Sequence, residues 1–147
     1  MILAGVGSSL WADAGNLTIT PATGISATGF ARGPFSVTSQ TYVLSNAGPT
    51  TLNWQANRGN DGWVSLSQLG GDLTPGEATQ VEVRINSKAL DLPVTNVTAT
   101  VTFLNIEEFL SDVRQVDLSV VLPGAGSAEA VTVTVANGTM SALNITA

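Results

Sequence analysis

The sequence contains neither cysteine nor histidine. The first absence removes disulfides and thiolate nucleophiles, and the two together remove the usual Cys/His zinc sites. Without histidine, the commonest general base is missing as well. Charge is scarce: 11% of residues are charged, against about 25% in a typical soluble protein. Five Lys and Arg stand against eleven Asp and Glu, for a formal net charge of −6. Nucleic-acid affinity comes largely from basic side chains that neutralise phosphates. Scattered basic residues in such small number form no footprint of that kind, so no nucleic-acid partner is expected. No apolar run approaches the ~18 residues that a membrane-spanning helix needs, and no membrane partner is expected either.

What is present is apolar. Hydrophobic residues make up 44% of the 147 positions, enough for a full core in one domain with additional arms. A free monomer with so few charges is poorly defended against association. Part of its surface is therefore expected to be covered by other proteins or by copies of itself.

The dominant period is two, the signature of strands. Segment 17–20 alternates Leu17 and Ile19, and segment 35–46 offers Phe35 and Val37, then Tyr42 and Leu44. Segment 51–56 offers Leu52, Trp54 and Ala56, and a short run follows at 63–66. Segment 79–86 turns Val81, Val83 and Ile85 one way, with Glu82 and Arg84 on the other side. Segment 97–104 turns Val97, Ala99, Val101 and Phe103 inward; segment 116–122 alternates Val116, Leu118, Val120 and Leu122. Turn-forming clusters separate these runs at 46–49, 57–62, 69–72 and 74–77. In "TPGE" (74–77), Pro75 and Gly76 suit a type II turn with positive φ at the glycine. About seven short strands at this spacing predict an all-β fold, an antiparallel β-sandwich of immunoglobulin-like type.

Three segments depart from that pattern. "NIEEFLSDVR" (105–114) places Ile106, Phe109, Leu110 and Val113 at helical spacing, with Asn105 and Glu108 positioned as a capping box. A turn or two of helix is expected there. "PGAGSAEA" (123–130) reads as a linker, and Asn137-Gly138 between two alternating runs predicts a C-terminal hairpin. At the other end, "MILAGVGSSLWADAG" is apolar and carries "ADA" at 12–14, yet no Lys or Arg precedes Arg32. A secretory signal would normally have a basic start. The segment is read as a docking arm anchored by Trp11.

The stretch "LTITPATGISATGFARGPFSVTSQTYVLSNAGPTTLNWQA", followed by "GWVSLSQLGGDLTPGEATQVEVRIN" and "LPVTNVTATVTFLN", resembles a BACON-type immunoglobulin-like domain over residues 16–122. That resemblance implies a seven-stranded sandwich of the kind found in bacterial surface proteins and bacteriophage virion proteins. It also implies an association with carbohydrate or mucin adhesion, and it brings no shared catalytic motif. The apolar arm and the terminal hairpin are departures from the family pattern. The organisation expected is an arm (1–15), a sandwich (16–122), and a linker with hairpin (123–147).

"NWQANRGNDGW" (53–63) brings two of the three tryptophans within ten positions. Trp54 is in phase with Leu52 and Ala56 and should face the core. Trp63 opens the next strand and should close one end of the sandwich, with a sugar-stacking platform as its alternative role. "NRGNDG" (57–62) resembles a calcium loop only superficially, because Gly59 occupies a ligand position and no Glu follows. Glu107, Glu108 and Asp112 form an acidic cluster with no second carboxylate group identifiable across a cleft, as glycoside hydrolysis would need. "GVGSS" (5–9) lacks the strand, lysine and third glycine of a phosphate loop. "GISAT" (24–28) fails the nucleophile elbow at its last position. The N-x-T sequons at Asn16, Asn96, Asn137 and Asn144 matter only in a glycosylating pathway.

Several apolar residues have no evident core position. Ile2, Leu3, Val6, Leu10 and Trp11 lie in the arm; Ile106, Phe109 and Leu110 in the sandwich-end connection; Val131, Val133, Val135, Leu143 and Ile145 in the hairpin. Exposed together they exceed the patch expected on a soluble monomer, and they are the candidate subunit contacts. The expectation is a non-enzymatic assembly protein without cofactor or metal. It would be a bacteriophage virion component, either a capsid decoration protein or a small tail or neck protein. It would bind copies of itself or other virion proteins. The alternative is a carbohydrate- or mucin-binding module of a bacterial surface protein, extracellular or on the cell surface, with Trp63 as the candidate glycan contact.

Overall fold

Alternation of apolar and polar side chains fixes which face of each strand turns inward, and the computed structural model, which describes residues 16–123, follows it. The strands are β1 (Leu17–Thr20), β2 (Ile25–Phe30), β3 (Ser39–Asn46), β4 (Leu52–Asn57), β5 (Val64–Leu66), β6 (Gly70–Leu73), β7 (Ala78–Ile85), β8 (Asn96–Asn105) and β9 (Leu110–Val121). A short 3₁₀ turn, Ser87–Asp91, joins β7 to β8 and is capped by the Asn86 side chain, which accepts from the Lys88 amide. One sheet has the order β1-β3-β7-β5 and the other β2-β9-β8-β4-β6. All pairings are antiparallel except β2 with β9, which is parallel from Ile25↔Val116 to Phe30↔Val121. The architecture is an immunoglobulin-like β-sandwich.

The core lies between the inward faces. Tyr42, Leu44, Val81, Val83 and Ile85 from one sheet meet Trp54, Ala56, Ala99, Val101, Phe103, Val116 and Leu118 from the other, all buried. Burial of each large aliphatic or Phe side chain is worth about 1.5–3 kcal/mol, so this layer carries the fold. The rings of Tyr42 and Phe103 meet at 5.7 Å between centroids, tilted by 56°. Trp54 and Trp63 are both buried core residues, the first as its phase with Leu52 and Ala56 implies. Among the described residues, no buried side-chain polar atom lacks a partner.

Two buried polar residues bind the sheets together. Asn46 donates to the carbonyls of Thr50 (2.7 Å) and Leu73 (2.9 Å) and accepts from the Gly48 amide (2.8 Å). Arg114 on β9 crosses the sandwich and donates to the carbonyls of Ile19 (2.9 Å) and Pro21 (3.0 Å). It also forms an ion pair with Asp112 at 2.6 Å. Its guanidinium lies 5.8 Å from the centre of the Tyr42 ring. Burial pushes the Tyr42 phenol up, and the charge of Arg114 works against that rise.

Four sequence expectations are corrected. Residues 105–114 do not form a helix: β8 ends at Asn105, residues 106–109 turn, and β9 begins at Leu110. Only half of the capping exchange forms, Glu108 N–H to the Asn105 side chain, and ten consecutive pairs between β8 and β9 outcompete a helix that would bury only one stripe. β2 was not expected, because Ala27 and Gly29 weaken its alternation. "LGGD" (69–72) reads as a turn, yet most of it belongs to edge strand β6, opposite Trp54. A Cβ at Gly71 would stand 3.3 Å from the indole nitrogen, so the glycine lets β6 lie close over the tryptophan. Val37 and Leu122 are exposed rather than inward. Gly76 has the positive φ (78°) that its turn requires.

A candidate protein-contact surface at the β8–β9 turn

Registers in the two sheets define two poles. At the first pole lie Asn16, the β3–β4 connection, the β6–β7 turn and the β8–β9 turn. Residues 106–109 are held there by carboxylates rather than by apolar packing. Glu108 accepts from the backbone N–H of Asn16 (3.0 Å), from the Asn16 side chain (2.7 Å) and from the Asn105 side chain (2.9 Å). Glu107 accepts from the backbone N–H of Asn53 at 2.7 Å and from the Asn53 side-chain amide. Ile106 N–H donates to the Asn53 carbonyl at 3.0 Å. The turn is thus fastened to the entries of both β1 and β4. Hydrogen bonds from Asn53, backbone first, hold the Glu107 carboxyl below the usual glutamate range.

The apolar side chains of this turn point outward. Phe109 is 83% exposed and has a φ of 54°, a left-handed conformation that costs a non-glycine residue energy. Ile106 and Leu110 flank it, also exposed. The structure therefore brings together the expected contacts Ile106, Phe109 and Leu110 on one apex. The remaining expected contacts (Ile2, Leu3, Val6, Leu10, Trp11, Val131, Val133, Val135, Leu143 and Ile145) lie outside the described residues, as do the arm and the hairpin.

The acidic cluster is used up in fastening. Glu107 and Glu108 bind different strand entries, and Asp112 binds Arg114. Among the described residues, no three Asp or Glu converge as metal ligands.

The opposite pole carries an apolar rim that strand periodicity did not reveal. Phe30, Leu90, Val94, Val121 and Leu122 are exposed there. Leu90 and Val94 lie in the irregular β7–β8 connection, where no alternation can mark them. Arg32, with a φ of 70°, stands beside this rim, and Lys88 sits on the 3₁₀ turn.

A shallow groove of about 400 Å³ opens on the outer face of the larger sheet, lined by Gln55, Asn57, Thr100, Thr102, Leu104 and Ser111 with Asp61 at its edge. Its polar lining is mostly hydroxyl and amide, with the Leu104 side chain among them and no aromatic. Trp63 is only 7% exposed, so it offers no open ring face for a sugar.

The family model described as "Viral BACON domain" matches residues 17–111. No curated protein matches the sequence. Among solved structures, the ASH/PapD-like domain of human CEP192 is similar at 13% identity and TM-score 0.49, covering 84% of this chain and 98% of that one. A C. elegans MSP family member, WR4, is similar at 9% identity and TM-score 0.42, covering 74% and 98%. The E. coli chaperone DraB is similar at 11% identity and TM-score 0.46, covering 73% and 55%.

Proposed function

The chain belongs to the viral BACON domain family, and from that premise we propose that it is a non-enzymatic assembly component of a bacteriophage virion. A capsid decoration protein or a small tail or neck protein fits this reading best. The supporting observation is the apex at the β8–β9 turn. An aromatic is held outward in an unfavourable backbone conformation on a turn that carboxylates fasten to two strand entries. Phe109 contributes almost nothing to the core, and an exposed Phe in a strained conformation is explained by what docks on it. Aromatic residues are enriched among the few that carry most interface energy. The low charge of the chain agrees with a surface that becomes covered.

The test is sedimentation of the full chain over a concentration series, beside a chain lacking residues 1–15 and 124–147 and beside Phe109→Gly. Assembly predicts concentration-dependent association of the full chain that truncation or loss of Phe109 weakens. A full chain that stays monomeric throughout and fails to join virion proteins would end this reading.

A second reading, as a carbohydrate- or mucin-binding module, is favoured by the groove across β4, β8 and β9. Neutral hydroxyl and amide side chains recognise sugar hydroxyls by hydrogen bonds. Titration of the full chain with neutral glycans, repeated with Gln55→Ala and Thr102→Val, tests it. Binding that these changes abolish would support the groove; unchanged binding would remove it.

A further inference from the structure

We propose that the two poles of the sandwich are complementary, so that the β8–β9 apex of one copy seats on the opposite pole of a second copy, head to tail. This rests on the assembly reading above and names its partner and partner surface. Both poles carry exposed apolar side chains: Ile106, Phe109 and Leu110 at the first, Phe30, Leu90 and Leu122 at the second. Their charges differ in sign. At the first pole the described residues include Asp72, Glu77, Glu107 and Glu108 and no exposed Lys or Arg. The second pole and its loops carry Arg32, Arg58 and Lys88 against Asp61 and Asp91, three positive charges to two negative.

The two non-glycine residues with positive φ among those described are Phe109 and Arg32, one at each pole. Each presents a long side chain from a sharply turned backbone, one apolar and one cationic. Apposition of the poles brings a guanidinium to a surface of carboxylates and an exposed ring, both of which attract it. A contact between two copies of the same pole would instead set the acidic rims against each other. Head-to-tail contact also places the end of the sandwich at residue 123 of one copy beside Asn16 of the next.

The size of a pole limits the strength of the contact. Five strands about 4.8 Å apart and two sheets about 10 Å apart give a footprint of roughly 500 Å² per copy once side chains are included. The total of about 1,000 Å² lies at the low end for specific contacts. Association through the poles should therefore be weak in solution and weaken further as salt screens the opposed charges beyond about 10 Å.

The experiment uses two full-length variants, Phe109→Gly for the first pole and Leu90→Ser with Leu122→Ser for the second. Each is checked for native folding by circular dichroism and then sedimented alone and as an equimolar mixture. Head-to-tail docking predicts that wild type forms a series of oligomers. Each variant alone should lose at least tenfold in association, while the mixture forms dimers and stops there, since one intact pole of each kind remains. If the Leu90/Leu122 variant alone associates as well as wild type and the Phe109 variant does not, the apex pairs with itself. The pole-to-pole inference is then overturned, while the assembly reading stands. If wild type does not associate at millimolar concentration in low salt, the inference is overturned as well. Entry of the protein into virions would then decide the assembly reading separately.

Discussion

At the scale of single residues, Arg114 shows what alternation cannot announce. In the sequence it is a cation within a run read as helical. In the fold it is 3% exposed and satisfied by two carbonyls of the opposite layer and by Asp112. Its position follows from the strand phase of β9, where it occupies an inward site like Val116 and Leu118. Only knowledge that residues 110–115 are strand could have placed it there. Arg114→Met is expected to cost about 3–5 kcal/mol, because it leaves the Asp112 carboxylate and the Ile19 and Pro21 carbonyls without their donor. The double variant Arg114→Met/Asp112→Asn should recover part of that loss, since the unpaired charge is gone. Urea denaturation of the three proteins checks this. A single variant within about 1 kcal/mol of wild type would show that the cross-layer bonds are dispensable. The tryptophans teach the reverse lesson: Trp54 was legible because Leu52 and Ala56 share its phase.

At the scale of elements, the β8–β9 turn makes the competition between local and long-range preferences visible. The Glu108 backbone N–H donates to the Asn105 side chain at 3.4 Å, one half of the exchange that a helix start uses, while the Glu108 carboxylate accepts from the Asn105 side-chain amide instead of its backbone. Long strand pairing on both sides prevents propagation, and the chain turns back after four residues. Local spacing thus places Asn105 and Glu108 in contact but mispredicts the element, and Ile106, Phe109 and Leu110 stay exposed because no core position claims them. The strain at Phe109 has a consequence for stability. Glycine tolerates its φ of 54° without cost, so Phe109→Gly should stabilise the folded state by about 0.5–1 kcal/mol net of glycine's greater unfolded entropy. Thermal unfolding would reveal it as a raised midpoint, and a lowered midpoint would mean that Phe109 packs on its own chain. Glu107 adds a pH dependence. Its folded pKa is depressed by Asn53, so its contribution is present above the ordinary glutamate value of about 4.3. It is lost as pH falls through the lower folded value. Glu107→Gln should therefore flatten the acid side of the stability profile and leave Glu77, held down by Thr74, to account for part of what remains. Denaturation midpoints measured between about pH 7 and about pH 3 test the sign. An acid limb identical in the two proteins would show that the Asn53 clamp is open in solution.

At the scale of the whole molecule, the sandwich was legible because its central strands alternate strongly. β2 and β6 were not, because they lie at edges where small residues suffice. The apolar rim of the second pole was hidden for a related reason: irregular connections carry no period against which an exposed leucine stands out. What remains is whether the core needs the terminal segments. Twenty-two hydrophobic residues, drawn from every strand together with Trp63 and Ala89, form one buried cluster within residues 16–123. The buried polar side chains of Asn46 and Arg114 also find partners within those residues. A chain of residues 16–123 is therefore expected to fold cooperatively by itself, with a single urea transition and a slope of about 1–3 kcal/mol per molar denaturant. It should also be more soluble than the full chain, because it lacks Trp11 and the apolar run from Val131 to Ile145. Agreement between fluorescence and circular-dichroism transitions checks the cooperativity, since Trp54 and Trp63 report the core and the strands report the backbone. A fragment with a broad transition, or with transitions that do not coincide, would mean that the segments outside 16–123 complete the core. Their apolar residues would then be part of the fold and not free for contacts between subunits.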